Sequence, residues 1–308
     1  MKVGIIGGGA IGLLYAFHLS KAFPVTLYVK RKEQLQQLNR DGINMSHEKE
    51  KRNINVQQWN NDTLPNEDII VVAVKQYALP TILPLLEKCT KDQSVLFLQN
   101  GMSHLEMLEK ITGPWILLGV VEHGVKKIND HSINWTGKGR TKIAGYQKPI
   151  EEHPSAFIEG WMELLGDSFP VEVCHDHQSM MTEKLLVNAV INPLTAIYHV
   201  RNGALLTNPY YKKTMGILYE EISFLIEEKE RDEMWEHICT ICEKTADNWS
   251  SMERDIKEGR QTEIEAILGY IRKMANQRGK TVPVTEFIYQ AVKGLQKNAN
   301  PGMEIYSS

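Results

Sequence analysis

The 308-residue chain has little cysteine, no long apolar run and almost no net charge, and each shortage removes a class of protein. Four cysteines, Cys89, Cys174, Cys239 and Cys242, are too few and too scattered for the disulfide framework of a small secreted domain. The longest apolar runs, such as residues 69–74, fall far short of the roughly 20 residues that span a bilayer. Lys+Arg of 35 against Asp+Glu of 38 leaves a formal charge of −3. With no polybasic tract beside it, neither nucleic acid nor an anionic membrane is an expected partner. Met1-Lys2 and the apolar residues that follow imitate the start of a secretory signal, but the run breaks into glycines after Ile6, so a cytoplasmic protein is expected. A content of 42% hydrophobic and 24% charged residues is ordinary for a globular chain and excludes disordered and low-complexity classes. At roughly 100–200 residues per domain, the length favours two domains.

What is present divides near residue 175. Residues 3–6, 25–29, 69–74 and 95–98 are short β-branched or apolar runs of the kind that form buried parallel strands. Helix-like segments 10–22, 32–41 and 77–89 separate them, and this alternation predicts an α/β fold with a doubly wound parallel sheet. Residues 116–121, 133–144 and 171–174 read as further strands. Beyond His175 the apolar spacing becomes three to four residues in segments 180–198, 210–229, 234–248, 263–276 and 284–296, which predicts an all-helical region. The expected domains are therefore 1–175, binding a nucleotide, and 176–308, carrying substrate and chemistry.

Gly7-Gly8-Gly9-Ala10-Ile11-Gly12 fits G-x-G-x-x-G, follows the first strand and opens a helix. Gly7 permits the tight turn, Gly9 lets the backbone approach a pyrophosphate, and Gly12 lets helix and strand pack closely. The free N–H groups of the helix start face the anion. At the end of the second strand, where a carboxylate would select NAD, the chain has Lys30-Arg31-Lys32. Arg31 offers a planar fork of donors to a 2′-phosphate, so NADP is the expected cofactor. Lys75 and Asn100 follow the strands at 69–74 and 95–98, at the carboxyl ends where a parallel sheet binds its ligands.

In the helical region Lys184, Asn188 and Asn192 recur every four residues and so line one face of a helix whose intervening positions are apolar. Such residues need partners, either protein groups or a polar ligand. Pro193 is expected to kink that helix. Ser250-Ser251 would cap one helix and Thr262-Glu263 begin another. Cys239-Thr240-Ile241-Cys242 has no second pair at ligand spacing and reads as helix packing, and His175-Asp176-His177 lacks acidic partners of clear spacing, so no metal is assigned.

Taken together and in order, Gly7–Gly12, Arg31, Asp68 to Lys75, Leu98-Gln99-Asn100-Gly101, Lys184 with Asn188 and Asn192-Pro193, and Ser250-Ser251-Met252, Asp255 and Thr262-Glu263-Ile264 resemble the ketopantoate reductase family over nearly the whole chain. The resemblance implies an N-terminal Rossmann-type domain joined to a helical one. It implies reduction of 2-dehydropantoate to (R)-pantoate with NADPH, a step toward pantothenate and coenzyme A. It makes Lys184 the catalytic lysine, with Glu263 the carboxylate beside it and also near the cofactor. Asn188, Asn192 and Ser251 would contact substrate, Asn100 both substrate and nicotinamide, and Lys75 the cofactor. The chain departs from the family pattern at Leu268, where an asparagine is common, and reads His123-Gly124-Val125 where His-Gly-Ala is common.

Hydride addition to C2 of a 2-oxo acid leaves negative charge on the former carbonyl oxygen, which an ammonium group stabilises and protonates. Glu263 either holds that ammonium or binds a substrate hydroxyl. The competing expectations are an NADPH-dependent reductase of another 2-oxo acid, with Leu268 reshaping the pocket, and a non-catalytic NADP-binding sensor. The protein would act on a small molecule, as a monomer or homodimer.

Overall fold

The computed structural model describes residues 1–46, 50–60, 65–153 and 156–299. Contacts divide the chain into two compact units, residues 1–99 with 104–180, and residues 100–103 with 181 onward. Among the described residues no helix is long and apolar enough to cross a membrane.

The first unit contains twelve strands among its described residues: β1 (Val3–Ile6), β2 (Val25–Val29), β3 (Ile43–Met45), β4 (Glu50–Arg52), β5 (Asn55–Gln58), β6 (Ile69–Val72), β7 (Ser94–Phe97), β8 (Trp115–Val121), β9 (Gly124–Lys127), β10 (Ser132–Gly137), β11 (Thr141–Gly145) and β12 (Val171–Val173). Eight form one sheet in the order β12-β11-β8-β7-β6-β1-β2-β5. Every pairing in it is parallel except β8 with β11. The order reverses beside β1, with β2 on one side and β6 on the other, so the glycine loop leaves the sheet at its topological switch point. β1, β6 and β7 are buried at every position, as strands covered on both faces must be.

A second, four-stranded sheet, β4-β3-β10-β9, is not anticipated by the sequence patterns. The run 133–144, read above as one strand, is two: β10 belongs to the small sheet and β11 to the large one. Gly137-Lys138-Gly139 breaks it, and a side chain at Gly139 would stand 2.4 Å from the Glu122 carbonyl. The small sheet explains α1 (Ala10–Leu19), whose residues from Gly12 onward are all buried. α1 packs against β1 and β2 and also against β9 and β10, so a helix apolar all round finds cover all round. Tyr15 holds this layer with a 2.5 Å hydrogen bond to Thr141 and edge contacts to Trp161 and Phe169. The other helices of this unit are α2 (Lys32–Asp41), α3 (Leu79–Leu86), α4 (Leu105–Leu108) and α5 (Ala156–Leu165).

The second unit is helical among its described residues. It follows α6 (His177–Tyr198) with α7 (Ala204–Thr207), α8 (Pro209–Ile222), α9 (Arg231–Lys244), α10 (Ser251–Lys257), α11 (Tyr270–Gln277) and α12 (Pro283–Ala299). The helical hydrogen-bonding region of α6 continues through Pro193 to Tyr198, and His199 ends it at a left-handed φ of 52°. Before α11 the chain makes one π-helical turn, Glu265–Gly269. Such wider turns are uncommon and concentrate at functional sites. Leu268 lies in that turn and is fully buried, so the departure from the family pattern places an apolar side chain in the core of this unit.

Candidate functional site

The residues singled out in the sequence fall on both units. In the first, Gly7 ends β1 at φ 120°, which side chains avoid, with the Ala73 carbonyl 2.8 Å from where a Cβ would lie. Gly12 lets α1 approach the strand end: a Cβ there would lie 1.8 Å from the Gly7 carbonyl. Gly9 differs from both. It precedes α1 with extended backbone, offers no side-chain cap, and a Cβ on it would meet nothing within 4 Å. The three glycines thus divide the work: two accommodate the protein's own backbone, and Gly9 leaves open space in front of a helix start. Ala10 and Ile11, the first residues of α1, present N–H groups to that space.

Gly8 is held from the side. Its carbonyl accepts from Gln34 Nε2 at 2.8 Å and Lys127 Nζ at 3.1 Å. Arg31 sits at the N-cap position of α2, half exposed, and its guanidinium pairs with Asp130. Burial pushes the Asp130 carboxyl up, but the hydrogen bonds from Arg31 and Lys127 outweigh it and hold the group below its ordinary value. Gln34, Lys127 and Asp130 escaped sequence reasoning, because the β9–β10 hairpin that carries the last two is brought to the loop only by the second sheet. Lys75 is the N-cap of a single 3-10 turn beyond β6. Gln99 fixes that turn's origin, donating to the carbonyls of Val72 and Val74 at 2.9 and 3.0 Å.

In the second unit the polar helix face is as the spacing requires: Lys184, Asn188 and Asn192 lie on α6, with both asparagines buried and Lys184 partly exposed. Their neighbour Glu183 pairs with His237 of α9 at 3.1 Å. Ser250 caps α10 by accepting from the Glu253 N–H at 3.1 Å, and its hydroxyl lies 2.8 Å from that of Thr195 on α6. That link brings Ser251, the first residue of α10, to Asn192, whose amide lies at a long 3.5 Å from the Ser251 hydroxyl. Asp255 is buried and ties down Arg260 at 2.9 Å, which is a structural use of that motif residue.

Glu263 is buried, and its Oε2 accepts from Asn100 Nδ2 at 2.9 Å. Residues far apart in the chain thus meet within this unit. Two supports produce the meeting. Thr262 donates through both N–H and hydroxyl to Gln296 Oε1 of α12, at 2.9 and 2.8 Å, anchoring the segment that ends in Glu263. On the other side, the N–H of Met102 bonds to the Ala266 carbonyl in the π-helical turn at 3.3 Å. Gly101 makes the approach possible, for it has φ 78° and a Cβ there would lie 2.2 Å from that same carbonyl. No periodicity reveals this docking; only the glycine after Asn100 hints at it.

The remaining candidates have ordinary surroundings. Cys242 is buried on α9 and its thiol is pushed up to about 12 by burial, the reverse of a reactive cysteine. His123 is buried and stacked on Phe169, and its Nδ1 accepts from the Gly139 N–H at 3.1 Å. His175 pairs with Glu151, and His177 meets the edge of Tyr146.

Residues 3–148 match the family described as ketopantoate reductase PanE/ApbA, and residues 176–296 match the family's C-terminal part. A 2-dehydropantoate 2-reductase of Listeria monocytogenes is 37% identical over 300 residues, covering 96% of this chain and 97% of that one. The crystal structure of a probable 2-dehydropantoate 2-reductase from Bacillus subtilis superposes with a TM-score of 0.82 at 36% identity, over 96% of this chain and all of that one. A D-mandelate dehydrogenase solved with NADH and anilino(oxo)acetate has a TM-score of 0.86 at 22% identity, covering 97% of this chain and all of that one, which is a likeness of fold. Matched across both its sheet-bearing and its helical parts, and over nearly its full length by a named reductase, the chain belongs to the ketopantoate reductase family.

Proposed function

We propose that this chain reduces 2-dehydropantoate to (R)-pantoate with NADPH, in the supply of pantothenate and coenzyme A. The observation that carries the reading is the pairing of Asn100 with the buried Glu263 in the same unit as the polar α6 face, within a chain of this family. We assign the region 1–175 to nucleotide binding and 176–308 to substrate and chemistry. The residues present fit the nucleotide: Gly9 faces open space at a helix start, as a pyrophosphate requires, and Arg31 supplies a donor fork where a ribose substituent is recognised. Gly7, Gly8, Gly12, Ala10 and Ile11 shape that cradle, and Lys75 serves its nicotinamide end. When bound, NADPH supplies the hydride for C2 of the 2-oxo acid.

The chain's own residues handle the rest. Lys184 donates a hydrogen bond to the keto oxygen and passes it a proton as negative charge develops there. Asn188, Asn192 and Ser251 bind the substrate's carboxylate and hydroxyl as uncharged partners. Asn100 fixes the orientation of the Glu263 carboxylate and holds it for the lysine or for a substrate hydroxyl. The test is NADPH consumption with 2-dehydropantoate beside 2-oxoisovalerate and bulkier 2-oxo acids. The highest kcat/KM is expected for 2-dehydropantoate; preference for another member of the panel would replace the substrate assignment. Tight NADPH binding with no turnover on any of them would make the protein a sensor.

A further inference from the structure

Arg31 and Lys127 come from distant parts of the sequence and converge on one oxygen. Asp130 Oδ1 takes the Arg31 guanidinium and lies 3.0 Å from Lys127 Nζ, which itself reaches the Gly8 carbonyl. Gln34 spans the same place, from the Gly8 carbonyl to the Asp130 carbonyl. We propose that Lys127 is the second cation recognising the adenosine 2′-phosphate of NADPH, and that Asp130 is a resident anion which this phosphate displaces. The inference rests on the NADPH assignment made above.

Three features support it. Two cations meeting at one anionic oxygen are already placed for a phosphate oxygen, and a dianion competes better for both than a single carboxylate does. NADH presents a neutral hydroxyl there and cannot make the exchange. Position agrees as well: Lys127 is tied to the glycine loop, and Arg31 follows β2, the strand whose end meets the ribose hydroxyls. Finally, Asp130 can let go without unfolding its turn. Asn129 holds that turn, its Oδ1 accepting from the N–H groups of His131 at 3.0 Å and Ser132 at 2.8 Å. The three charged side chains are 22–54% exposed, so an incoming anion can reach them.

The experiment is measurement of dissociation constants for NADPH, NADH and 2′,5′-ADP on the full chain, by nucleotide fluorescence and calorimetry. Lys127→Gln is expected to weaken NADPH and 2′,5′-ADP by about tenfold, the loss of one charge-assisted contact, while NADH changes by less than about twofold. Lys127→Arg should recover most of the loss. Asp130→Asn should tighten NADPH several-fold and leave NADH as it was. Equal weakening of NADPH and NADH by Lys127→Gln would show that Lys127 only supports the glycine loop, and no change in either would remove it from the site. Weaker NADPH binding in Asp130→Asn would overturn the displacement. If Arg31→Ala abolishes the preference for NADPH and Lys127→Gln keeps it, the cofactor assignment stands and this inference alone fails. A wild-type chain that binds NADH as tightly as NADPH would overturn both.

Discussion

Lys184 can be judged by what its removal spares. Replacing it with alanine deletes the proposed proton donor and no group of the glycine loop, Arg31 or Lys127, so chemistry and nucleotide binding should separate. Lys184→Ala is expected to lower kcat by about 10²–10⁴-fold, the usual range for a positioned acid, with the NADPH dissociation constant unchanged. Steady-state rates and a nucleotide titration on the same preparation check this, and undiminished turnover would remove the assignment. Single residues were legible in the sequence where a short local pattern carries the physics. The i, i+4 spacing of Lys184, Asn188 and Asn192 and the three unlike glycines of the loop are of that kind. Partners contributed from afar were not. Gln296 behind Thr262 and Asp130 beside Arg31 are joined by tertiary folding alone, and nothing in their neighbourhoods marks them.

Among elements, the π-helical turn Glu265–Gly269 and the short segment 100–103 position Asn100 against Glu263, and Gly101 is the residue that lets them touch. Gly279 has a similar φ of 62° but nothing within 4 Å of a would-be Cβ. The pair separates backbone strain from collision. Gly279→Ala should cost about 1 kcal/mol of stability, the left-handed penalty of an L-residue, with kcat unaffected. Gly101→Ala carries the same penalty and also drives a methyl into the Ala266 carbonyl, so it should lower the melting temperature further and reduce kcat by at least about tenfold through displacement of Asn100. Equal kinetics for the two variants would disconnect the turn from the chemistry. The central parallel strands β1, β6 and β7 were readable as apolar runs because burial on both faces leaves no room for polar positions, whereas the edge strand β5, exposed at all but Val56, was not. The small sheet was missed for the opposite reason. β4 and β9 are three and four residues long and carry Glu50, Lys51, Arg52, Lys126 and Lys127, a composition that reads as loop until α1 is seen to need cover.

Over the molecule as a whole, the same covering of α1 has a pH signature. His18 lies in the resulting aromatic layer, stacked on Phe169 at 4.4 Å and edge-on to Trp135, and neither ring nitrogen has a hydrogen-bond partner among the described residues. Burial drives its pKa down to about 3, with the Lys21 and His123 charges and Lys138 adding to the effect and Glu50 opposing it. Burial likewise lowers His104 and His123 to about 4, with Lys138 contributing at His123. In the unfolded chain these rings titrate near 6.5, so between that value and about 4 the unfolded state binds more protons than the folded one. Their contribution to stability is therefore complete above pH 6.5 and declines as the pH falls below it. Each ring loses up to about 1.4 kcal/mol per pH unit, or about 2 kcal/mol by pH 5. Ordinary carboxylates titrate near 4, so most of the fall between pH 7 and 5 belongs to the histidines. Urea midpoints measured across that interval should drop steadily. His18→Phe, which keeps an aromatic ring against Phe169 and cannot take a proton, should drop less. A midpoint that stays level from pH 7 to pH 5 in the wild type would mean these rings accept protons in place, with water reaching His18 and His123 in the aromatic layer they share with Phe169 and Trp135.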